Sequence, residues 1–416
     1  MPKKQQTVPA WVWQMLLMGL LGLSGIIFVP VLLRVADAQL MAAVLVAQVY
    51  MYYLVVLMQY GFGWSGPAAL ARAAPTEDGA QVWRSSVKVK LLLAGPVAVL
   101  LGLSFVGLAW GRVYLLWFTL LLVAAAMNSN WFLQAQQNFA AGVRFAALGA
   151  LLSSCLLYLL AGYHESLEDQ TLGALVVLVL ALPQVSVGLG TWHVAHKSCE
   201  TLPVHETTMS DSLRALRNDW PLVVSQLLLL ASTTLGTVTV GALADSNATA
   251  AYAAIEKLFN HGATVLVGFY MVLHPRFAAW FYQDRCMYWK RTQYLLGACA
   301  FGGVFMALLL NWVGDLLLNF YLPAHLAAHV LSVMVPFALW LGLCMGQHVL
   351  TGYLVFAERN DLVLWVNAGV LLATLLVGYF CARLSPVTWV YGMLIGQILV
   401  MLLLLKLRHD DKAECL

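Results

Sequence analysis

Charge is what this chain has least of. Only 10% of its 416 residues are Asp, Glu, Lys or Arg, and 62% are hydrophobic. A soluble domain carries roughly 25% charged residues, so this composition cannot furnish a water-facing surface. The mean hydropathy is +0.82. The net charge of +3 is too small for a nucleic-acid binder, and no nucleic acid is expected as a partner. The seven cysteines (Cys155, Cys199, Cys286, Cys299, Cys344, Cys381 and Cys415) include no C-x-x-C pair. Most sit in apolar runs, where a free thiol behaves as a small hydrophobe, so neither a disulfide framework nor a thiolate metal site is expected. The ten histidines show no H-E-x-x-H spacing, and no metal or other cofactor is implied.

Long apolar runs are abundant instead. A bilayer core takes about 20 apolar residues per helix. Runs of that length fall at 11–33, 38–59, 88–110, 113–134, 139–162, 171–195, 219–244, 249–274, 294–318, 326–356, 362–382 and 386–407. The expectation is an all-α integral membrane protein of about twelve transmembrane helices. Lys3 and Lys4 before the first run, and Ala36-Asp37-Ala38 after it, imitate a signal peptide. A signal core is only about 7–15 residues, so the longer first run reads as a retained helix.

Loop charge orients the chain. Of the 22 lysines and arginines, all but four fall on one side; Arg34, Arg112 and Arg383 lie on the other and Lys257 is inside a span. Both termini, and the loops 60–87 and 275–293, are therefore expected in the cytoplasm, with the chain a multi-pass protein of a bacterial inner membrane. The longest polar stretch between spans, 197–217, divides the spans evenly. The expected organisation is an N-terminal six-helix bundle (1–196), a cytoplasmic linker (197–217), and a C-terminal six-helix bundle with a cytoplasmic tail (218–416). The halves echo each other: Pro67, Arg72 and Trp83-Arg84 in one, Pro275-Arg276 and Trp289-Lys290-Arg291 in the other. That echo suggests two bundles related by pseudo-symmetry, as transporter repeats often are.

Ionisable groups at membrane depth cost about 2.5–3.5 kcal/mol on insertion scales and are candidates for function. Lys257 is the clearest, as a cavity cation for an anionic substrate or as a snorkelling or ion-paired lysine. Glu256 points about 100° away on the same helix and has another helix to pair with. Arg34 and Asp315 lie near the opposite interface, as anchors or as site residues. Ser225, Ser232 and Gly236 share one face of the seventh span, which either lines a cavity or packs small residues on a neighbour. Asn218-Asp219 before Pro221 reads as a helix N-cap. The polar run from Asn128 to Asn138 reads as a wet helix end, or as a hydrogen-bonding lip for sugar hydroxyls.

Several segments resemble one family. Phe28-Val29-Pro30-Val31-Leu32-Leu33-Arg34, Gln59-Tyr60-Gly61-Phe62 with Ala71-Arg72, Trp131-Phe132-Leu133-Gln134-Ala135, and Ala253-Ala254-Ile255-Glu256-Lys257 followed by His274-Pro275-Arg276 resemble segments of Wzx-type flippases. These belong to the superfamily of multidrug, oligosaccharidyl-lipid and polysaccharide exporters. The chain departs from that pattern at Val35-Ala36-Asp37, where a glycine is frequent, and at His274, where a tyrosine is. The resemblance implies a flippase, not an enzyme. Its substrate would be an undecaprenyl-pyrophosphate-linked repeat unit of an O-antigen-like polysaccharide, carried to the periplasmic leaflet. Lys257, Arg34, Arg72 and Arg276 would contact the anionic lipid-linked glycan, with Glu256 and Asp315 as coupling or ion-pair residues. Membrane lipids and a polysaccharide polymerase machinery are the implied partners. A cation-coupled multidrug extruder of the same fold is the alternative; no Asp or Glu lies within the first six spans, which argues against it, and Glu256 argues for it. A membrane-bound polymerase or glycosyltransferase would need acid–base groups on a sizeable loop, and the periplasmic loops are short.

Overall fold

The computed structural model describes residues 50–72, 77–105, 111–136, 138–163, 167–200, 209–244, 246–322, 327 and 330–412, together with a few positions between 12 and 20. It is helical throughout. After a helical stretch over 50–59 come α1 (Phe62–Arg72), α2 (Glu77–Phe105), α3 (Gly111–Met127), α4 (Asn130–Ala135), α5 (Phe139–Tyr163), α6 (Asp169–Cys199) and α7 (Met209–Leu243). There follow α8 (Ser246–Gln283), α9 (Arg285–Tyr321), α10 (Met334–Phe356), α11 (Asn360–Leu384) and α12 (Trp389–Lys412). Prolines sit inside α1, α2, α6, α7 and α8. Such prolines are tolerated in membrane helices because neighbouring helices meet the freed backbone groups.

Among the described residues, seven helical segments are long and apolar enough to cross a membrane: Phe139–Tyr163, Thr171–Cys199, Leu216–Leu243, Arg285–Asn319, Leu331–Phe356, Asn360–Leu384 and Trp389–Lys406. The chain is a multi-pass membrane protein. Most of the first and second expected spans lie outside the described residues, and the third runs into positions 106–110, which do too. α3 is short, at 17 residues, because the expected fourth span is broken at Asn128-Ser129. α8 spans 38 residues, but Glu256, Lys257, Asn260 and His261 make its first half polar.

Two expected loops are largely helix. The segment 60–87 holds α1 and the start of α2, and 275–293 is the continuation of α8 and the first turns of α9, separated only by Asp284. The Asp284 carboxylate accepts from the Met287 N–H at 2.9 Å and caps α9. Likewise α7 begins at Met209, so Asn218-Asp219 is not an N-cap and Pro221 lies well inside the helix.

The chain folds as two compact units, Met1–Val223 and Val224–Leu416. The division falls in the seventh span, beyond 197–217, because the first turns of α7 are held by the N-terminal unit. Tyr60 and Gly61 turn the chain in the left-handed region, at φ 47 and 72. From there the Tyr60 hydroxyl donates to the Leu216 carbonyl at 3.0 Å, and Ser65 Oγ donates to Asp219 Oδ2 at 2.8 Å. A Cβ on Gly61 would lie 3.0 Å from Leu222 Cβ.

Close helix approaches in both units use small residues, as expected where no solvent drives helices together. In the N-terminal unit Gly149 lies against Pro183, and Gly188 against the Ala124 carbonyl. In the C-terminal unit Gly342 faces Gly303, and Gly392 faces Gly378. The sequence echo between halves has one local counterpart. Trp83 and Trp289 are both buried, and three residues later Ser86 and Thr292 are wholly buried. Their hydroxyls fold back onto their own helices, donating to the Trp83 carbonyl at 2.7 Å and the Tyr288 carbonyl at 2.8 Å.

Candidate functional site

The C-terminal unit holds the ionisable cluster. Glu256 sits on α8 and is only 4% exposed. Thr237 of α7 donates its hydroxyl to Glu256 Oε2 at 2.5 Å. The other carboxyl oxygen, Oε1, is buried with no hydrogen-bond partner among the described residues. Gly236 makes the room for it: a Cβ there would collide with Oε1, and would lie 2.7 Å from the Tyr252 hydroxyl and 3.0 Å from Trp389 Cδ1. The niche is thus built by a small residue on α7, by Tyr252 one turn earlier on α8, and by the start of α12. On the same face Ser225 and Ser232 are buried, with Ser232 Oγ turned onto the Leu229 carbonyl at 2.7 Å.

Lys257 follows on the next face of α8, roughly 16 Å along from Ser246 at 1.5 Å per residue. It is partly buried. His261 lies one turn further on, buried, with Nε2 lacking a hydrogen-bond partner among the described residues. Lys257 and His261, four residues apart, share one stripe of α8, and Glu256 lies about 100° to its side.

Two of the other expected site residues lie elsewhere in the same unit. Arg276 is exposed near the end of α8, and Asp315 is exposed on α9. Arg72 ends α1, its side chain outside the described residues, and Arg34 lies outside them altogether. Among the described residues no group of three or more His, Cys, Asp or Glu is placed to hold a metal ion.

Two buried polar features escaped the sequence reading. The first is a chain of side chains across four helices of the C-terminal unit. Gln397 on α12 donates to Gln347 on α10. Gln347 donates to Asn367 Oδ1 on α11 at 2.5 Å, and Asn367 donates to Ser225 Oγ on α7 at 2.5 Å. Each is at most 3% exposed. The isolated amides in the apolar stretches around 367 and 397 were the available signal. The second is Lys90, counted above among loop charges, which is 1% exposed inside the N-terminal unit. The polar run after it is equally dry at its start: Ser129 is 1% and Gln134 4% exposed. The far end of the run is wetter, with Gln136 exposed.

Residues 10–281, more than half of the chain, match the polysaccharide biosynthesis protein family. The chain belongs to that family. Its fold is that of MATE transporters. A mutant of the Vibrio cholerae MATE transporter VcmN superposes with a TM-score of 0.75 at 17% identity, over 97% of this chain and 96% of that one. An outward-facing multidrug-resistance MATE transporter of the MOP superfamily gives 0.74 at 13% identity, over 97% and 94%. A MOP-superfamily transporter from Pyrococcus furiosus, described as having a binding pocket of reversed polarity, gives 0.71 at 13% identity, again over 97% and 94%. No curated protein matches the chain. Family and fold together make this chain a polysaccharide biosynthesis family member with a MATE-like fold.

Proposed function

We propose that this chain is a transporter that carries an anionic lipid-linked glycan, an undecaprenyl-pyrophosphate-linked oligosaccharide repeat unit, from the cytoplasmic to the periplasmic leaflet. The observation that carries the reading is the half-buried Lys257 on α8, in the expected eighth span and within the stretch that matches the polysaccharide family. An ammonium acts on a phosphate as a point charge without bidentate geometry, which suits a group that must be held and then released. Arg34, Arg72 and Arg276 are proposed as further contacts at the ends of spans. Alternating access would reorient the load. The proposed setting is a bacterial inner membrane with both termini in the cytoplasm and a polysaccharide polymerase machinery downstream.

A host deleted for this gene, complemented with variants, tests it by surface polysaccharide and lipid-linked sugar analysis. Lys257→Arg is expected to retain partial export and Lys257→Ala to lose it at normal protein level. Lys257→Glu is expected to be worse than alanine. Normal export by Lys257→Ala would remove Lys257 from the site.

Glu256 favours a second reading, a cation-coupled multidrug extruder, because a buried carboxyl with an unpartnered oxygen is a ready cation or proton acceptor. Extrusion of cationic dyes by cells overproducing the chain, with surface polysaccharide unchanged by its deletion, would select that reading instead.

A further inference from the structure

The fourth span is broken where nothing covalent breaks it. α3 ends at Met127 and α4 begins at Asn130. The residues approaching the break, Ala124-Ala125-Ala126-Met127, are strong helix formers, and the break holds neither proline nor glycine. At the break the local bond from Asn130 N–H to Asn128 Oδ1 at 3.0 Å competes with the helix, and tertiary contacts add to it. In a continuous helix the Asn128 carbonyl would accept from the Phe132 N–H, four residues on. Here Phe132 N–H donates to the Ser129 carbonyl at 3.0 Å, and the Asn128 carbonyl takes Lys90 Nζ at 2.7 Å in its place. The Ser129 N–H, which would reach the Ala125 carbonyl, donates instead to Thr191 Oγ1 at 3.1 Å. Trp83 Nε1–H donates to Ser129 Oγ at 2.9 Å, and Ser129 Oγ donates to the Met127 carbonyl at 3.0 Å. The Lys90 and Thr191 side chains thus take up backbone groups that a continuous helix would pair internally, so tertiary and helical hydrogen bonds compete for them.

Lys90 is the only charged member of the set. It lies over the Phe62 ring at 5.9 Å, and its ammonium stands at the carbonyl end of α3, where the helix dipole favours a cation. No carboxylate among the described residues forms an ion pair with it. We propose that the fourth span has two states, broken and continuous, and that Lys90 is the latch that selects the broken one. Release of Lys90 returns the Asn128 carbonyl to Phe132 N–H and fuses α3 to α4. The fusion moves Trp131 and Phe132, which pack with Phe62 and Trp83 in one buried aromatic cluster. The device needs no particular substrate and stands apart from the proposed function.

Paired spin labels at Val123 and Gln136 test it in the full-length chain in lipid nanodiscs, with native cysteines replaced. Both positions are exposed. The wild type is expected to show the broken-span separation. Lys90→Met is expected to shift the distribution toward the roughly 20 Å of thirteen residues of continuous helix. Lys90→Arg is expected to keep the wild-type distribution. Thr191→Val removes one neutral bond and is expected to shift it less, in the same direction, which supplies the test if Lys90→Met does not fold. Unchanged distributions in folded Lys90→Met and Thr191→Val would show that packing alone holds the break and would overturn the latch. Loss of fold in both would also overturn it, because an opened latch leaves a folded, continuous span.

Discussion

The buried amide chain of the C-terminal unit makes a quantitative prediction. Asn367 accepts from Gln347 and donates to Ser225, each at 2.5 Å, whereas Gln397 joins the chain through its donation to Gln347. All four side chains are at most 3% exposed, so water cannot replace a lost partner. Asn367→Leu and Gln397→Met keep the approximate volume and remove the hydrogen bonds. An interhelical hydrogen bond in a membrane contributes about 0.6 kcal/mol on average and about 1.7 at most. Two lost bonds at Asn367 should therefore cost about 1.2–3.4 kcal/mol, and the single bond at Gln397 about 0.6–1.7. Donors and acceptors left unmet in the core push both toward the upper end. The two substitutions should be non-additive, since both act on Gln347. Reversible unfolding in bicelles, read by steric trapping, gives both values and the cycle. A neutral or stabilising Asn367→Leu, or a Gln397→Met more costly than Asn367→Leu, would refute the reasoning.

Gly236→Ala should cost about 1–3 kcal/mol by overpacking, because the new methyl meets Glu256 Oε1, the Tyr252 hydroxyl and Trp389. Its melting temperature should fall, and the double variant with Glu256→Ala should lose less than the sum of the two. Exposed Cys286, left as the sole cysteine, should react with a membrane-impermeant maleimide only from the cytoplasmic side; labelling from the periplasm would invert the proposed topology. Ser86 and Thr292 are unsuitable reporters for the same loops, being wholly buried.

How much of the molecule was legible beforehand depended on the scale of the pattern. Membrane residence, an all-helical fold and the candidacy of Glu256 and Lys257 follow from composition and run length, because a bilayer admits few alternatives to a long apolar helix. Hydropathy cannot separate a polar loop from an amphipathic helix end. That is why 60–87 and 275–293 read as loops and turned out largely helical.

The sequence by itself determined where polar residues are scarce, and hence which ones are costly in the bilayer. Only the tertiary structure decided what each of them meets. Asp219 reads locally as a cap and is a bond acceptor for Ser65, because the chain turns back at Tyr60-Gly61. Lys90 reads as a loop charge and is buried on the Asn128 carbonyl, because the fourth span breaks beside it. Gln347, Asn367 and Gln397 are far apart in the chain and adjacent in space. The physical reason is common to all of these: a polar group removed from water must find its partner within the protein, and that partner lies on whichever helix packing brings within about 3 Å, at a separation along the chain that no local pattern encodes.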